Sequence, residues 1–384
     1  MADVLLTEEE LMLKKAVAEF ANKELAPKAA AIDASEEFPW ENVKGMADLG
    51  LFGINIDQAY GGSGGDYKQL AIVIEELARV CASTSVIHIA HLSLAAQTIH
   101  TFGTEEQKMT FLPSLVSGEK LAAFCLSEPS TGSDAAGIQT TAVRKNDNYV
   151  LNGSKNFITN GSVAKTLVVF ATSDTSKRSR GVNAFVVDRD TKGVAAEQMH
   201  GKMGLRASDT AMVYFDNVEI PERNRLGEED QGFKLAMLSL DASRISIAAQ
   251  AVGIAQGAYE AAVRYALERQ AFSKPIAEIQ AIQFFLADMS TRIDAARLLT
   301  HQAAALKENG QPYIKASSHA KLFASETATF CADKAVQIMG GYGYFQPAIP
   351  ERAYRDAKVT EIYEGTSEVQ RIVIARQLLK EFGA

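Results

Sequence analysis

The chain has 384 residues, 47% hydrophobic and 22% charged, an ordinary balance for a globular protein long enough for two or three domains. Its 39 basic and 47 acidic side chains leave a net charge of −8, without the basic footprint of a general nucleic-acid binder. Three cysteines, Cys81, Cys125 and Cys331, form neither a disulfide framework nor a CxxC zinc site, which points to a reducing compartment. The start at Met1-Ala2-Asp3-Val4 runs into an acidic helix signal and has neither a signal-peptide nor a transit-peptide pattern. No stretch of about 18 uncharged apolar residues is present, so no membrane span is expected.

In chain order, Thr7 with Glu10 makes a capping box, and Leu13, Val17 and Phe20 follow at helical spacing. Pro27 and Pro39-Trp40 punctuate the helices, and residues 43–52 read as a short amphipathic stretch. Tyr60 to Asp66, with four glycines in Gly61–Gly65, is a loop, because glycine costs too much backbone entropy in a regular element. Helical patterns resume over 67–81 and 85–101, and again after Thr104-Glu105-Glu106-Gln107. From about 121 the pattern shortens to strand-length runs between turn residues. These are Tyr149-Val150-Leu151, bounded by Asn146-Asp147 and Asn152-Gly153, then Leu167–Ala171, Ala184–Val187 and Met212–Phe215. The polar stretch between Thr172 and Gly181 reads as a solvated loop. After Gly227 the pattern is helical again, with long stretches to about 266, over 278–307 and over 312–340. Gly340-Gly341-Tyr342-Gly343 ends the last of these, and a final helix follows Thr366-Ser367. Helices, strands, then helices exclude a doubly wound α/β sheet. The expectation is a multidomain α+β protein: an N-terminal helical domain (1–120), a middle β-sandwich or barrel (121–228) and a C-terminal four-helix bundle (229–384).

Several motifs fail. There is no GxGxxG after a strand and no GxxxxGK[ST] phosphate loop. No serine sits in a GxSxG elbow. His88 and His91 have no matching carboxylate or cysteine partner and read as helix-face histidines, so no metal is expected. Four segments remain that are richer in glycine, hydroxyls and amides than their secondary structure requires. Phe124-Cys125-Leu126-Ser127-Glu128-Pro129-Ser130-Thr131-Gly132-Ser133-Asp134 lies where helix gives way to strand, and its hydroxyls and free N–H groups suit a polar cofactor. Asn156 to Gly161 sets an aromatic beside a hydroxyl at a strand end. Leu240-Asp241-Ala242-Ser243-Arg244 opens a long helix with paired polar groups. Arg355 to Glu368 places Glu364 before Gly365, with Ser367 and Gln370 as a capping box for the last helix. Taken singly, the first and last read more readily as an ordinary loop and turn, the second equally as a plain strand end, and the third also as a solvated helix turn.

Together the segments resemble the acyl-CoA dehydrogenase family over nearly the whole chain. The resemblance rests on Ala59-Tyr60-Gly61-Gly62, Phe102 to Lys108, Leu126-Ser127-Glu128-Pro129 with Gly132-Ser133-Asp134, and Met203-Gly204-Leu205-Arg206. It continues through Gln337 to Gly343 and Ile362-Tyr363-Glu364-Gly365-Thr366, all in the family's order. Short-chain, butyryl-type members look most similar, above all over 235–305. The resemblance implies FAD, an acyl-CoA substrate oxidised to the trans-2-enoyl-CoA, an electron-transfer flavoprotein as acceptor, and a homotetramer. A cytoplasmic location is implied, or the mitochondrial matrix for a processed eukaryotic form.

By position, the resemblance makes Glu364 the base. It places Phe124, Cys125, Leu126, Ser127, Thr131, Gly132 and Ser133, and Phe157, Ile158 and Thr159, along the flavin. Arg269, Phe272, Gln280, Gln337, Ile338, Gly340 and Gly341 reach the FAD of a neighbouring subunit, and Thr366, Ser367 and Glu368 add FAD contacts. Ser133, Asp241, Arg244 and Gly365 face the substrate. Phe157 departs from the family's usual Trp but keeps a π face. Ser130-Thr131 departs from a glycine plus a small residue. Ser243 stands where some members carry their base, and it cannot deprotonate a carbon acid, which leaves Glu364. Short branched acyl groups, an acyl-CoA oxidase, a flavin monooxygenase and a non-catalytic scaffold remain as rivals.

Overall fold

The computed structural model describes residues 6–383; the Met1–Val4 start lies outside them. The first third is helical: α1 (Glu8–Phe20), α2 (Ala26–Ser35), α3 (Trp40–Asp48), α4 (Tyr67–Val80), α5 (Ala82–His88), α6 (Gln97–Phe102) and α7 (Glu105–Val116). α1 and α7 open on reciprocal caps, Thr7 with Glu10 and Thr104 with Gln107, and α4 does the same on Asp66 with Gln69. The helical pattern over 85–101 is not uniform: Ile89–Ala96 winds as a π-helix between α5 and α6.

His88 and His91 are on this stretch and are fully buried. His88 Nε2 meets the Leu51 carbonyl at 2.8 Å, and His91 Nε2 meets that of Leu115 at 3.1 Å. Nδ1 of His91 accepts from the Ala122 amide at 2.9 Å, so its other nitrogen is the donor. Burial pulls these imidazoles down to about 4 and about 3, and they stay neutral. His91 ties the helical layer to the first strand, while His88 holds the turn at Leu51. No group of His, Cys, Asp or Glu suited to a metal occurs among the described residues.

The middle third is a sheet of β1 (Ala122–Cys125), β2 (Thr141–Lys145), β3 (Asn148–Thr159), β4 (Thr166–Thr172), β5 (Val182–Asp188), β6 (Val194–Gln198), β7 (Thr210–Pro221) and β8 (Arg225–Leu226). The strand order is β6-β7-β3-β2-β4-β5-β8, with β1 parallel to β4. β2 and β4 share a single residue pair, Thr141 opposite Thr172, so the sheet divides there into two lobes. Asn152-Gly153 is not a turn. It lies within β3, where the register against β7 slips, and the turn into β3 is at Asn146-Asp147. The polar stretch after Thr172 is not an open loop but short 3₁₀ turns over Thr175–Gly181.

A buried ion pair shapes the loop after β1. Lys155 of β3 is fully buried, and its Nζ donates to the Leu126 carbonyl at 3.1 Å and to Glu128 Oε1 at 2.8 Å. Glu128 also accepts from the amides of Gln139 (2.6 Å) and Thr140 (3.0 Å). Burial pushes the Glu128 carboxyl up, but Lys155 and these hydrogen bonds outweigh it and leave it below its ordinary value. Glu128 and Thr131 exchange backbone hydrogen bonds, which closes the Pro129-Ser130 turn.

The last third is α8 (Gly232–Glu268), the short pair β9 (Gln270–Ala271) and β10 (Lys274–Pro275), α9 (Gln280–Glu308), α10 (Ile314–Met339), α11 (Gly341–Tyr344), α12 (Ile349–Thr360) and α13 (Ser367–Glu381). α8 begins at Gly232, so Leu240–Arg244 lie inside it rather than at its start. By length and composition α8 resembles a membrane span, but most of that stretch is buried against protein. It packs on α4, α9 and α10. Gly253 and Gly257 let α4 come close: a Cβ at these positions would stand 2.3 Å from the Glu75 carbonyl oxygen and 2.2 Å from that of Arg79.

Charged groups join the layers. Arg297 of α9 bonds Glu75 of α4 at 2.9 Å and Gln256 of α8 at 2.9 Å. Arg355 of α12 pairs with Asp33 of α2 at 2.6 Å. Asp356 accepts from the Leu205 amide at 2.7 Å, which fastens the β6–β7 connection to α12.

Glu128→Ala leaves the Lys155 amine without its buried partner. We expect a loss of about 3–5 kcal/mol in urea unfolding, most of it recovered when Lys155→Met is added.

Candidate active site

Glu364 stands in the link between α12 and α13. Its φ is 51°, and Gly365 follows at 95°, so two successive residues are left-handed. A glutamate adopts this backbone only where its surroundings dictate it. The surroundings here are explicit. The Ser367 amide donates to the Glu361 carbonyl at 2.9 Å. Gln370 Nε2 donates to the Gly365 carbonyl at 2.9 Å, and Lys321 Nζ of α10 donates to the same oxygen at 2.7 Å. The Tyr363 hydroxyl donates to Gln250 of α8.

The cap of α13 differs from the sequence expectation. Thr366, not Ser367, accepts from the third helical amide, that of Val369, and Gln370 is turned back onto the Glu364-Gly365 turn. Ser367 is buried, and its hydroxyl has no partner.

The Glu364 side chain is half-buried. Oε2 accepts from the Ser243 hydroxyl at 2.5 Å. Burial pushes the carboxyl up to about 7, against the pull of Ser243, Lys321 and Arg244. Lys321 is itself dragged down to about 8 by burial, with Glu364 the strongest charge opposing this. A carboxyl poised near neutrality takes and returns protons at modest cost, as a general base must.

Asp241 and Arg244, one turn apart on α8, pair at 2.5 Å, and Arg244 also donates to Ser318 of α10 at 3.3 Å. Arg244 is buried, with its Nε unpartnered, so a donor remains beside the Glu364 carboxylate. The pair is thus an interior pair and not a solvated helix turn.

A second group of expected residues gathers at the sheet. The Asn156 amide donates to the Ser127 carbonyl at 2.9 Å, which sets the loop from Leu126 to Ser133 beside Phe157–Thr159. Thr131 is buried with an unpartnered hydroxyl, and Gly132 and Ser133 are exposed. Phe157 is left-handed, with φ 58°, and 65% exposed, an aromatic face held out from the sheet. Phe124, Cys125 and Ile158 have buried side chains, so contacts from these would run through backbone.

A third group lies apart, at the end of α10. Arg269, Gly340 and Gly341 line an open groove of about 960 Å³ with Tyr265, Tyr342 and Phe345. Phe272, Gln280 and Gln337 are exposed, while Ile338 is turned into the core. The sequence reading missed Lys321, Gln370 and Gln250 as holders of the Glu364 turn. Lys321 alone had left a signal, a lysine among Ser317, Ser318, Ala320, Ala324 and Ser325 on the buried side of a helix.

Residues 7–119, 123–218 and 230–379 match the acyl-CoA dehydrogenase N-terminal, middle and C-terminal domains. The chain is 46% identical to the short-chain specific acyl-CoA dehydrogenase of Clostridium acetobutylicum, covering 98% of this chain and 100% of that one. It superposes on butyryl-CoA dehydrogenase from Megasphaera elsdenii with a TM-score of 0.95 and 43% identity, over 97% of this chain and 99% of that one. A chain from work on the electron transferring flavoprotein of Acidaminococcus fermentans gives a TM-score of 0.96 and 46% identity, over 97% of this chain and 98% of that one. With a helical domain, a sheet domain and a helical domain each matched in order, the chain belongs to the acyl-CoA dehydrogenase family of oxidoreductases.

Proposed function

We propose that this protein oxidises a short-chain acyl-CoA thioester to its trans-2-enoyl-CoA, with Glu364 as the base that takes the α-proton. The observation that carries this reading is the Glu364 carboxyl, held on a left-handed turn and poised at about 7 between Lys321 and Arg244. The short-chain assignment rests on similarity to the Clostridium and Megasphaera proteins.

The chain offers a fitting cradle for FAD. The unpartnered buried hydroxyls of Thr131 and Ser367, the outward Phe157 ring and the first turn of α13 at Thr366–Glu368 supply donors and a stacking face. When bound, FAD supplies the acceptor for the β-hydride and the route for electrons to an electron-transfer flavoprotein. The likeness to the Acidaminococcus chain supports that partner. Arg269, Phe272, Gln280 and Gln337–Gly341 form the surface for a second subunit's cofactor in a homotetramer. The exposed Tyr342, Tyr344 and Phe345 give that surface its apolar area. Three buried, unpaired cysteines suit a reducing compartment such as the cytoplasm.

The protein's own steps concern one proton. An α-proton of a thioester is weakly acidic, so the carbonyl oxygen must be polarised as charge develops. The backbone N–H of Glu364, which none of the turn's hydrogen bonds uses, is free to do this. The carboxylate takes the α-proton while Ser243 and Arg244 steady its changing charge. Asp241 orients Arg244, and Ser133 and Gly365 border the substrate.

Glu364→Gln keeps the shape and removes the base. Purified variant should remain yellow with flavin, while butyryl-CoA turnover falls by about 10²–10⁴-fold or more; retained turnover would name another base. Rapid peroxide formation by the wild type without an added acceptor would identify an oxidase instead. The pH profile follows from the raised carboxyl. Below its titration Glu364 is protonated and cannot accept, so kcat/KM should fall tenfold per pH unit below about 7. A limb near the ordinary carboxylate range would contradict this. In a substrate panel, butyryl-CoA should exceed octanoyl-CoA and isobutyryl-CoA in kcat/KM; a reversed order would reassign the acyl specificity.

A further inference from the structure

One face of α8 carries a stripe of polar side chains at helical spacing: Ser239, Ser243, Ser246 and Gln250. Each is committed. Ser239 pairs with Thr98 of α6 at 2.7 Å, and Ser246 with Ser93 at 2.9 Å. Both join helices as neutral hydroxyl pairs; in the first either oxygen can donate, and in the second Ser246 donates. Gln250 accepts from Tyr363. Ser243 differs because it meets a carboxylate. An ionised carboxylate only accepts, so the Ser243 hydroxyl must donate, at 2.5 Å, to Oε2 of Glu364.

The consequence lies in the other oxygen. With Oε2 engaged, Oε1 accepts no hydrogen bond among the described residues. The backbone beneath is fixed by Lys321 and Gln370 on the Gly365 carbonyl, and the direction of the carboxylate is left to the Ser243 bond. We propose that Ser243 is a positioning residue which, by donating to Oε2 of Glu364, assigns Oε1 as the oxygen that receives the substrate proton. This rests on Glu364 being the base. Ser243, which cannot itself deprotonate carbon, acts through the residue that can.

The donor also favours the ionised carboxylate. The other charged groups facing Glu364 are Lys321 from α10 and Arg244 from α8, with Asp241 behind Arg244. Removing the Ser243 hydroxyl leaves these in place, so a change in titration reports on the one hydrogen bond.

The test is the pH profile of kcat/KM for holoenzyme with butyryl-CoA, in wild type, Ser243→Ala, Ser243→Thr and Glu364→Gln. Ser243→Ala should move the acid limb up by about one pH unit, a tenfold loss at fixed pH below the limb. Ser243→Thr, which keeps the hydroxyl, should restore the limb. A Ser243→Ala limb that coincides with wild type, while Glu364→Gln is inactive, overturns the positioning role and leaves the base intact. Turnover retained in Glu364→Gln overturns both. Flavin content and melting temperature close to wild type in Ser243→Ala would tie the shift to the site; a limb shift that Ser243→Thr fails to reverse would overturn the proposal.

Discussion

A single carboxylate, held where a carboxylate is costly, organises this structure. Glu364 occupies a left-handed backbone position, half-buried, with its ionised form disfavoured by desolvation. The turn is sustained from three directions, by Lys321 of α10, Gln370 of α13 and Gln250 of α8 acting through Tyr363. The helical domain is therefore more than a support for the site. Its helices contribute the donors that fix where the carboxylate points.

The same logic extends outward. The loop after β1 is irregular, and its shape is imposed from inside by the buried Lys155–Glu128 pair. The α2–α12 contact through Arg355 and Asp33, and the Asp356–Leu205 bond beside it, brace α12, which delivers the Glu364 turn. Arg297, Glu75 and Gln256 lock α9, α4 and α8 around the close approach that Gly253 and Gly257 permit. Buried charge pairs add little net stability, but breaking one is expensive, so they set geometry. Here they occur between helices, at α4–α9 and α2–α12, and inside the sheet domain at Lys155–Glu128.

Much of this was readable in the sequence. The capping box at Thr7, the helix resuming after Thr104–Gln107, the apolar run Leu167–Ala171 and the glycine loop after Tyr60 announce the elements, because each signal is local. Glu364 emerged from its Gly365 neighbour and from family resemblance. What escaped was non-local. β6, Val194–Gln198, is too weakly apolar to read as a strand until β7 pairs with it. Asn152-Gly153 looks like a turn, yet a register slip inside β3 uses it. Ser367 with Gln370 fits a capping box, but tertiary demand turns Gln370 toward Gly365 and passes the cap to Thr366. Ser243 could be dismissed as a base from sequence. Its hydrogen bond to Glu364 spans 121 residues, and only the fold brings the two together.

The site depends on the ionisation of one group, which can be measured without turnover. Carboxyl titration followed by difference infrared spectroscopy, with Glu364→Gln to assign the band, reads it directly in the free protein. The structure predicts a midpoint of about 7 for the band that the variant loses. A midpoint near the unperturbed 4.5 would show a solvated glutamate and contradict the account.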